Sequence, residues 1–124
     1  MTKISDAELA VMRILWRENR PMPFAEIRTA LETNTGWKKS TIQTLILRLR
    51  DKGIISVHTT YVTMYSANIT QEEYIQTEGQ SLINKLFEGS AKNLVAALCR
   101  GGQLDEGDID ELKAYFKVEG KAPQ

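Results

Sequence analysis

A chain of 124 residues with 42% hydrophobic and 26% charged side chains and a formal net charge of zero has the balance of a small globular protein, which excludes a disordered or fibrous polypeptide. No apolar run approaches the roughly 20 residues of a membrane span and the N-terminus lacks a signal-peptide core, so no membrane insertion and a cytoplasmic location are expected. One Cys (Cys99) and one His (His58) leave no disulfide framework, no multi-thiol metal site and almost none of the usual catalytic constellations, so neither an enzyme nor a cofactor is expected.

Ser5 and Glu8 have the spacing of a capping box, in which side chain and backbone satisfy each other at a helix start. Leu9, Met12, Leu15 and Trp16 then recur at helical spacing over about 14 residues, and Arg20-Pro21 stops that first helix. A short second helix follows Pro23 with Ile27, Ala30 and Leu31 as its buried stripe, and Thr33-Asn34-Thr35-Gly36 reads as a loop. The third helix, Lys39 to Lys52, has Ile42, Leu45, Ile46 and Leu49 at i, i+3, i+4 and i+7, a core-facing stripe. Gly53 stands where a helix end needs positive φ. Its start is open between a Ser40 cap, with Gln43 as box partner, and an earlier beginning at Lys38.

Ile54–Val57 and Val62–Ser66 are β-branched and partly alternating, with His58-Thr59-Thr60 as the hairpin tip. Three helices and a two-stranded ribbon within residues 1–69 are the order of a winged helix-turn-helix domain. From residue 70 the chain is helical. Thr70 and Glu73 form a second capping box, ahead of Tyr74, Ile75, Leu82, Ile83, Leu86 and Phe87, and Ser90 caps a helix with Leu94, Val95 and Leu98. Asp105 opens the last, with Leu104 and Ile109 as a hydrophobic staple and Leu112 and Phe116 on its stripe. The fold class is therefore mainly α with a small β-hairpin, the winged domain at 1–69 being followed by a three-helix region at 70–124. Three short amphipathic helices enclose little core alone, so Leu82, Leu86, Leu94, Leu98, Ile109, Leu112 and Phe116 are expected to pack against a second copy in a homodimer. Packing of the same stripes onto the N-terminal half is the alternative.

The zero net charge hides a division. Residues 1–68 hold 10 Lys and Arg against 6 Asp and Glu, a net of +4, and residues 69–124 hold the reverse, so the first half suits a polyanion. With the third helix's apolar stripe turned inward, Thr41, Thr44 and Arg48 face the other way, and Lys38, Lys39 and Ser40 gather at its N-terminal end. Threonine allows close approach to base edges, arginine pairs with guanine or clamps phosphate, and the Gln43 amide suits adenine. Double-stranded DNA is the expected partner. Leu47, near the exposed side, is expected to pack under the ribbon rather than to touch a thymine methyl. Between Lys52 and Lys85 there is no Lys or Arg, so a small wing contribution is expected. That neutral wing favours the alternative function, a winged-helix protein-interaction module without operator specificity. His58 reads as a solvated turn residue, Cys99 as a small core or interface residue, and Trp16 and Trp37 as packing residues of the first three helices.

Three stretches resemble the penicillinase repressors of the BlaI/MecI type, a family that includes CopY-type copper-operon repressors. Ile4-Ser5-Asp6-Ala7-Glu8-Leu9-Ala10-Val11-Met12-Arg13-Ile14-Leu15-Trp16 looks like its opening helix. Trp37 to Leu49 followed by Lys52-Gly53 looks like its recognition helix, and Leu82–Gly89 with Asp110-Glu111-Leu112 like its dimerisation helices. The likeness runs from about residue 4 to 117. It implies a homodimeric winged-helix transcriptional repressor, with two recognition helices in successive major grooves of a palindrome built on TACA/TGTA half-sites. β-Lactam-resistance or related genes are the implied targets. By position, Thr41 and Thr44 match the family's base-proximal threonines and Arg48 an arginine near the DNA backbone, whereas Gln43 stands where the best-known members carry Arg and Lys38 replaces a Ser or Thr. Members that answer β-lactams are cut by a membrane sensor-protease at an Asn-Phe bond. The aligned pair here, Ala97-Leu98, is the candidate proteolytic site and the protease a candidate partner. Copper-responsive members carry clustered C-terminal cysteines, which Cys99 alone does not reproduce.

Overall fold

A computed structural model describes residues 3–118 of the chain. Among these, the elements run α1 (Asp6–Glu18), β1 (Met22–Pro23), α2 (Phe24–Thr35), α3 (Lys39–Asp51), β2 (Ile55–Thr59), β3 (Thr63–Ala67), α4 (Gln71–Phe87), α5 (Ala91–Arg100) and α6 (Glu106–Val118). Residues 119–124, the end of the expected helical region, lie outside the described residues.

The local signals act as capping chemistry requires. The Glu8 amide donates to Ser5 Oγ (3.1 Å) and the Ser5 amide to Glu8 Oε1 (2.7 Å), which satisfies two orphan donors at the start of α1. Asn19, in the left-handed region at φ 52°, ends that helix with its N–H on the Leu15 carbonyl. Thr33, Asn34 and Thr35 belong to α2 rather than to a loop. The Thr33 and Thr35 hydroxyls donate to the Thr29 and Leu31 carbonyls (2.9 and 2.8 Å), so these residues serve the helix that their composition argues against. The turn comes at Gly36, with φ 72°. Lys38 is the N-cap of α3, and no side chain caps it. Ser40 therefore lies inside the first turn and does not cap with Gln43. At the other end, Gly53 takes φ 76° and bonds the Arg50 carbonyl, while Ile54 bonds that of Leu49.

The sheet has three strands in the order β1-β3-β2, all antiparallel. The two-stranded ribbon expected from the sequence is thus joined by Met22 and Pro23, which pair with Tyr65 and Met64. The proline sits on an edge strand, where a missing N–H costs no ladder bond. The hairpin tip moves as well. His58 and Thr59 lie in β2, opposite Met64 and Thr63, so the turn is Thr60-Tyr61-Val62 and His58 is a strand residue.

The chain forms two compact units, Met1–Thr77 and Glu78–Gln124, divided inside α4. In the first, Val11, Met12, Ile27, Ile42, Ile46 and Leu49 are at most 1% exposed. They make a core among α1, α2 and α3, which Met22, Ile54 and Ile55 extend toward the sheet. Trp16 closes its edge: its indole N–H donates to the Ile69 carbonyl (2.9 Å), and its ring lies 5.6 Å from that of Tyr74.

The second unit is built by its caps. The α4 box of Thr70 and Glu73 forms just upstream. Ser90 accepts the Asn93 amide at α5, and Asp105 and Asp108 form a reciprocal box at α6. Yet every buried apolar side chain among the described residues lies between Ile4 and Ile55. No side chain on α4 or α5 is buried.

Candidate nucleic-acid interface

Helix α3 has two unlike sides because its apolar residues recur with the helical period. Ile42, Leu45, Ile46 and Leu49 are between 0 and 4% exposed. Lys38, Lys39, Ser40, Thr41, Gln43, Thr44 and Arg48, the seven residues singled out from the sequence, are all exposed, on α3 or at its N-cap. One rigid element therefore presents them together, anchored by its own buried stripe.

Their partners decide what each can offer. The Thr44 hydroxyl donates to the Ser40 carbonyl (2.9 Å), which spends its proton on the helix and leaves the oxygen of this exposed residue as an acceptor. Arg50 is tied to Asp51 (3.0 Å). Lys38, Lys39 and Arg48 make no ion pair among the described residues. Three unneutralised cations, two at the N-terminal end of a face and one beside its uncharged centre, match a polyanion that carries readable groups between its phosphates.

Leu47 departs from expectation. It does not pack under the ribbon but is 42% exposed. The ribbon meets the other side of α3, through buried Ile54 and Ile55.

The C-terminal end of α3 is held by a contact that sequence reasoning missed. Lys52 Nζ donates to Glu8 Oε1 (2.6 Å) and to the Lys3 carbonyl (2.9 Å). Glu8 is 1% exposed, and its Oε2 has no partner among the described residues. Burial pushes the Glu8 carboxyl up. The hydrogen bonds from Lys52 and from the Ser5 backbone and side chain, with the ammonium charge, outweigh it and hold the group below the ordinary glutamate value. The capping box was the legible signal at Glu8; its second partner is 44 residues away.

The wing is neutral and partly apolar. Val57, Tyr61 and Val62 are 36, 103 and 54% exposed, and the Thr59 and Thr63 hydroxyls bridge the strands near the tip (3.2 Å).

On the second unit, Leu82, Leu86, Leu112 and Phe116 are exposed by 44, 59, 49 and 44%, while Leu94, Leu98 and Ile109 are half-buried. Ala97 and Leu98 lie half-buried inside α5. Cys99 is exposed and so is not a core residue.

Comparison with known proteins bears on this arrangement. The penicillinase repressor family model matches residues 4–117. The chain is 34% identical to a penicillinase repressor of Bacillus licheniformis, over 89% of this chain and 86% of that protein. It is 31% identical to one from Staphylococcus aureus over 90 and 88%, and 28% identical to the methicillin resistance regulatory protein MecI of Mammaliicoccus sciuri over 90% of each. Among solved structures, the DNA-binding domain of the repressor BlaI superposes with a TM-score of 0.52 at 38% identity, covering 60% of this chain and 95% of that one. The monomeric form of B. licheniformis BlaI in complex with the blaP half-operator gives 0.53 at 37%, over 60 and 90%.

Proposed function

Because this chain belongs to the penicillinase repressor family, a family of DNA-binding transcriptional repressors and not of enzymes, we propose that it acts as a homodimer that occupies a palindromic operator through the exposed face of α3. The observation that carries the reading is the two-sidedness of α3. A stripe at most 4% exposed fixes the helix in the core, while Lys38, Lys39, Ser40, Thr41, Gln43, Thr44 and Arg48 face outward together. Lys38, Lys39 and Arg48 contact phosphates and set register, and Thr41, Gln43 and Thr44 meet base edges. The solved relative in complex with a half-operator supports DNA as the partner of this face by analogy.

Dimerisation rests on the second unit. Leu82, Leu86, Leu112 and Phe116 leave substantial apolar area in water, and a two-fold partner covers the same patch on both copies. Two winged domains so joined read half-sites about one helical turn apart. Loss of the dimer releases the operator, and cutting at Ala97-Leu98 by a membrane sensor-protease is one route. Since those residues are half-buried in α5, that route requires α5 to open locally. The regulated genes are β-lactam-resistance or related genes.

The test is fluorescence anisotropy with a labelled TACA/TGTA palindrome and a scrambled duplex, each at low and near-physiological salt, beside sedimentation of the free protein. Tight, salt-sensitive binding kept only by the palindrome, from a dimeric protein, is the expected result. Equal weak binding to both duplexes, with selection from random DNA recovering no preferred site, overturns the reading.

A further inference from the structure

Leu47 is the exposed apolar side chain of α3, 42% exposed where Ile42, Leu45, Ile46 and Leu49 are at most 4%. It lies four residues after Gln43 and three after Thr44, one turn along the same ridge, so the three side chains are neighbours on the surface. Ser40 continues that ridge one turn earlier, and its carbonyl holds the Thr44 hydroxyl. Leu47 is thus at the middle of the outward face and not at its margin, with the unpaired cations Lys38 and Lys39 toward one end and Arg48 beside it.

We infer that Leu47 is a specificity-determining residue that reads the C5-methyl group of a thymine in the major groove. The inference rests on the operator-reading role of α3. A major groove offers one apolar feature among its donors and acceptors, the thymine methyl, and an apolar side chain is what distinguishes it from the bare C5–H of cytosine. A protein partner for the same face would leave the three cations without phosphates, so charge favours DNA. The Gln43 and Thr44 side chains fix the neighbouring base edges, and Leu47 excludes water from the methyl beside them. Removing one methyl-sized group from apolar contact corresponds to about 0.8 kcal/mol, or about fourfold in affinity.

The experiment uses the full chain and the duplex recovered by selection from random DNA, with each thymine replaced in turn by deoxyuridine, which removes the methyl alone. The unaltered protein loses about fourfold at one thymine of a half-site. Leu47→Ala binds the parent duplex about fourfold more weakly, is indifferent to uracil at that position, and keeps the slope of affinity against salt. Leu47→Met, which restores apolar reach, restores the uracil sensitivity. Because Leu47 is outside the core, the thermal unfolding of both variants stays at that of the parent. A selected site without thymine opposite the ridge, or a Leu47→Ala protein with unchanged affinity or unchanged uracil sensitivity at every position, overturns the inference while the operator-reading role stands. Failure of the unaltered protein to select any duplex overturns both.

Discussion

Substitution of Lys52 by Met isolates the buried contact that fixes the C-terminal end of α3. In the parent, Glu8 Oε1 takes the Lys52 ammonium at 2.6 Å and the Ser5 amide at 2.7 Å, while buried Oε2 has no partner among the described residues. Removing the ammonium leaves an ionised carboxylate that is 1% exposed with one amide for company. Breaking a buried pair from one side costs about 3–5 kcal/mol. The Lys52 side chain is 28% exposed, so water screens part of the interaction, and a loss of about 2–3 kcal/mol is expected near neutral pH. For a unit of this size that lowers Tm by roughly 10–20 °C.

The pH dependence carries the sharper signature. The folded parent holds the Glu8 carboxyl below its ordinary value, so the contact's stabilisation is present above the unfolded glutamate value and disappears as pH falls through the folded one. In Lys52→Met the burial that pushes the carboxyl up is opposed by Ser5 alone. The group then takes a proton more readily, and the variant is relieved by acid that weakens the parent. Denaturation followed by tryptophan fluorescence reports on the correct unit, since Trp16 and Trp37 both belong to it. The gap between parent and variant should be widest near pH 7 and narrow steadily toward pH 4. A gap under about 0.5 kcal/mol at pH 7, or one independent of pH, refutes the argument that an uncompensated buried charge is responsible.

Other substitutions separate the remaining roles. Arg48→Ala should weaken binding to every duplex alike and reduce the slope of log affinity against log salt by about 1, read by anisotropy across a salt series. Gln43→Ala should instead relax sequence choice, with about 1–3 kcal/mol of discrimination lost at one base pair and the salt slope kept. Leu86→Asp, at a residue 59% exposed on α4, should convert a dimer to a monomer in sedimentation and leave the unfolding of the winged unit unchanged. Gly53→Ala should destabilise by about 1–2 kcal/mol through its φ of 76° alone, because an added Cβ there meets no atom within 4 Å.

What was legible in the sequence was local. Ser5 with Glu8, Thr70 with Glu73, and Ser90 ahead of α5 mark helix starts because the bonds they make close within three residues. The stripe of α3 is legible for the same reason: a period of 3.6 residues puts Ile42, Leu45, Ile46 and Leu49 on one side whatever they pack against. The outward placement of Thr41, Gln43, Thr44 and Arg48 follows as its complement.

Apart from Thr33-Asn34-Thr35, which α2 takes up through bonds four residues back, the errors lie where distant segments meet. Met22 and Pro23 form a strand only because Tyr65 and Met64 present an edge to them, and two residues carry no periodicity from which to read it. His58 looks like a turn residue by composition, but its place is set by the register that aligns Ile55 with Ala67 and Thr59 with Thr63. Nothing local to Lys52 marks its partner, because α1 brings Glu8 against it from 44 residues away. Leu47, near the exposed side, is expected under the ribbon, but the ribbon packs on the other side of α3 and leaves it 42% exposed. By itself, then, the sequence determined which helices form, where the capped ones start and which face of α3 is polar, since these depend on bonds and periods spanning one or two turns. The third strand, the hairpin register, the buried Glu8–Lys52 contact and the exposure of Leu47 were decided by the tertiary structure, because each depends on which surfaces far apart in the chain exclude water from one another.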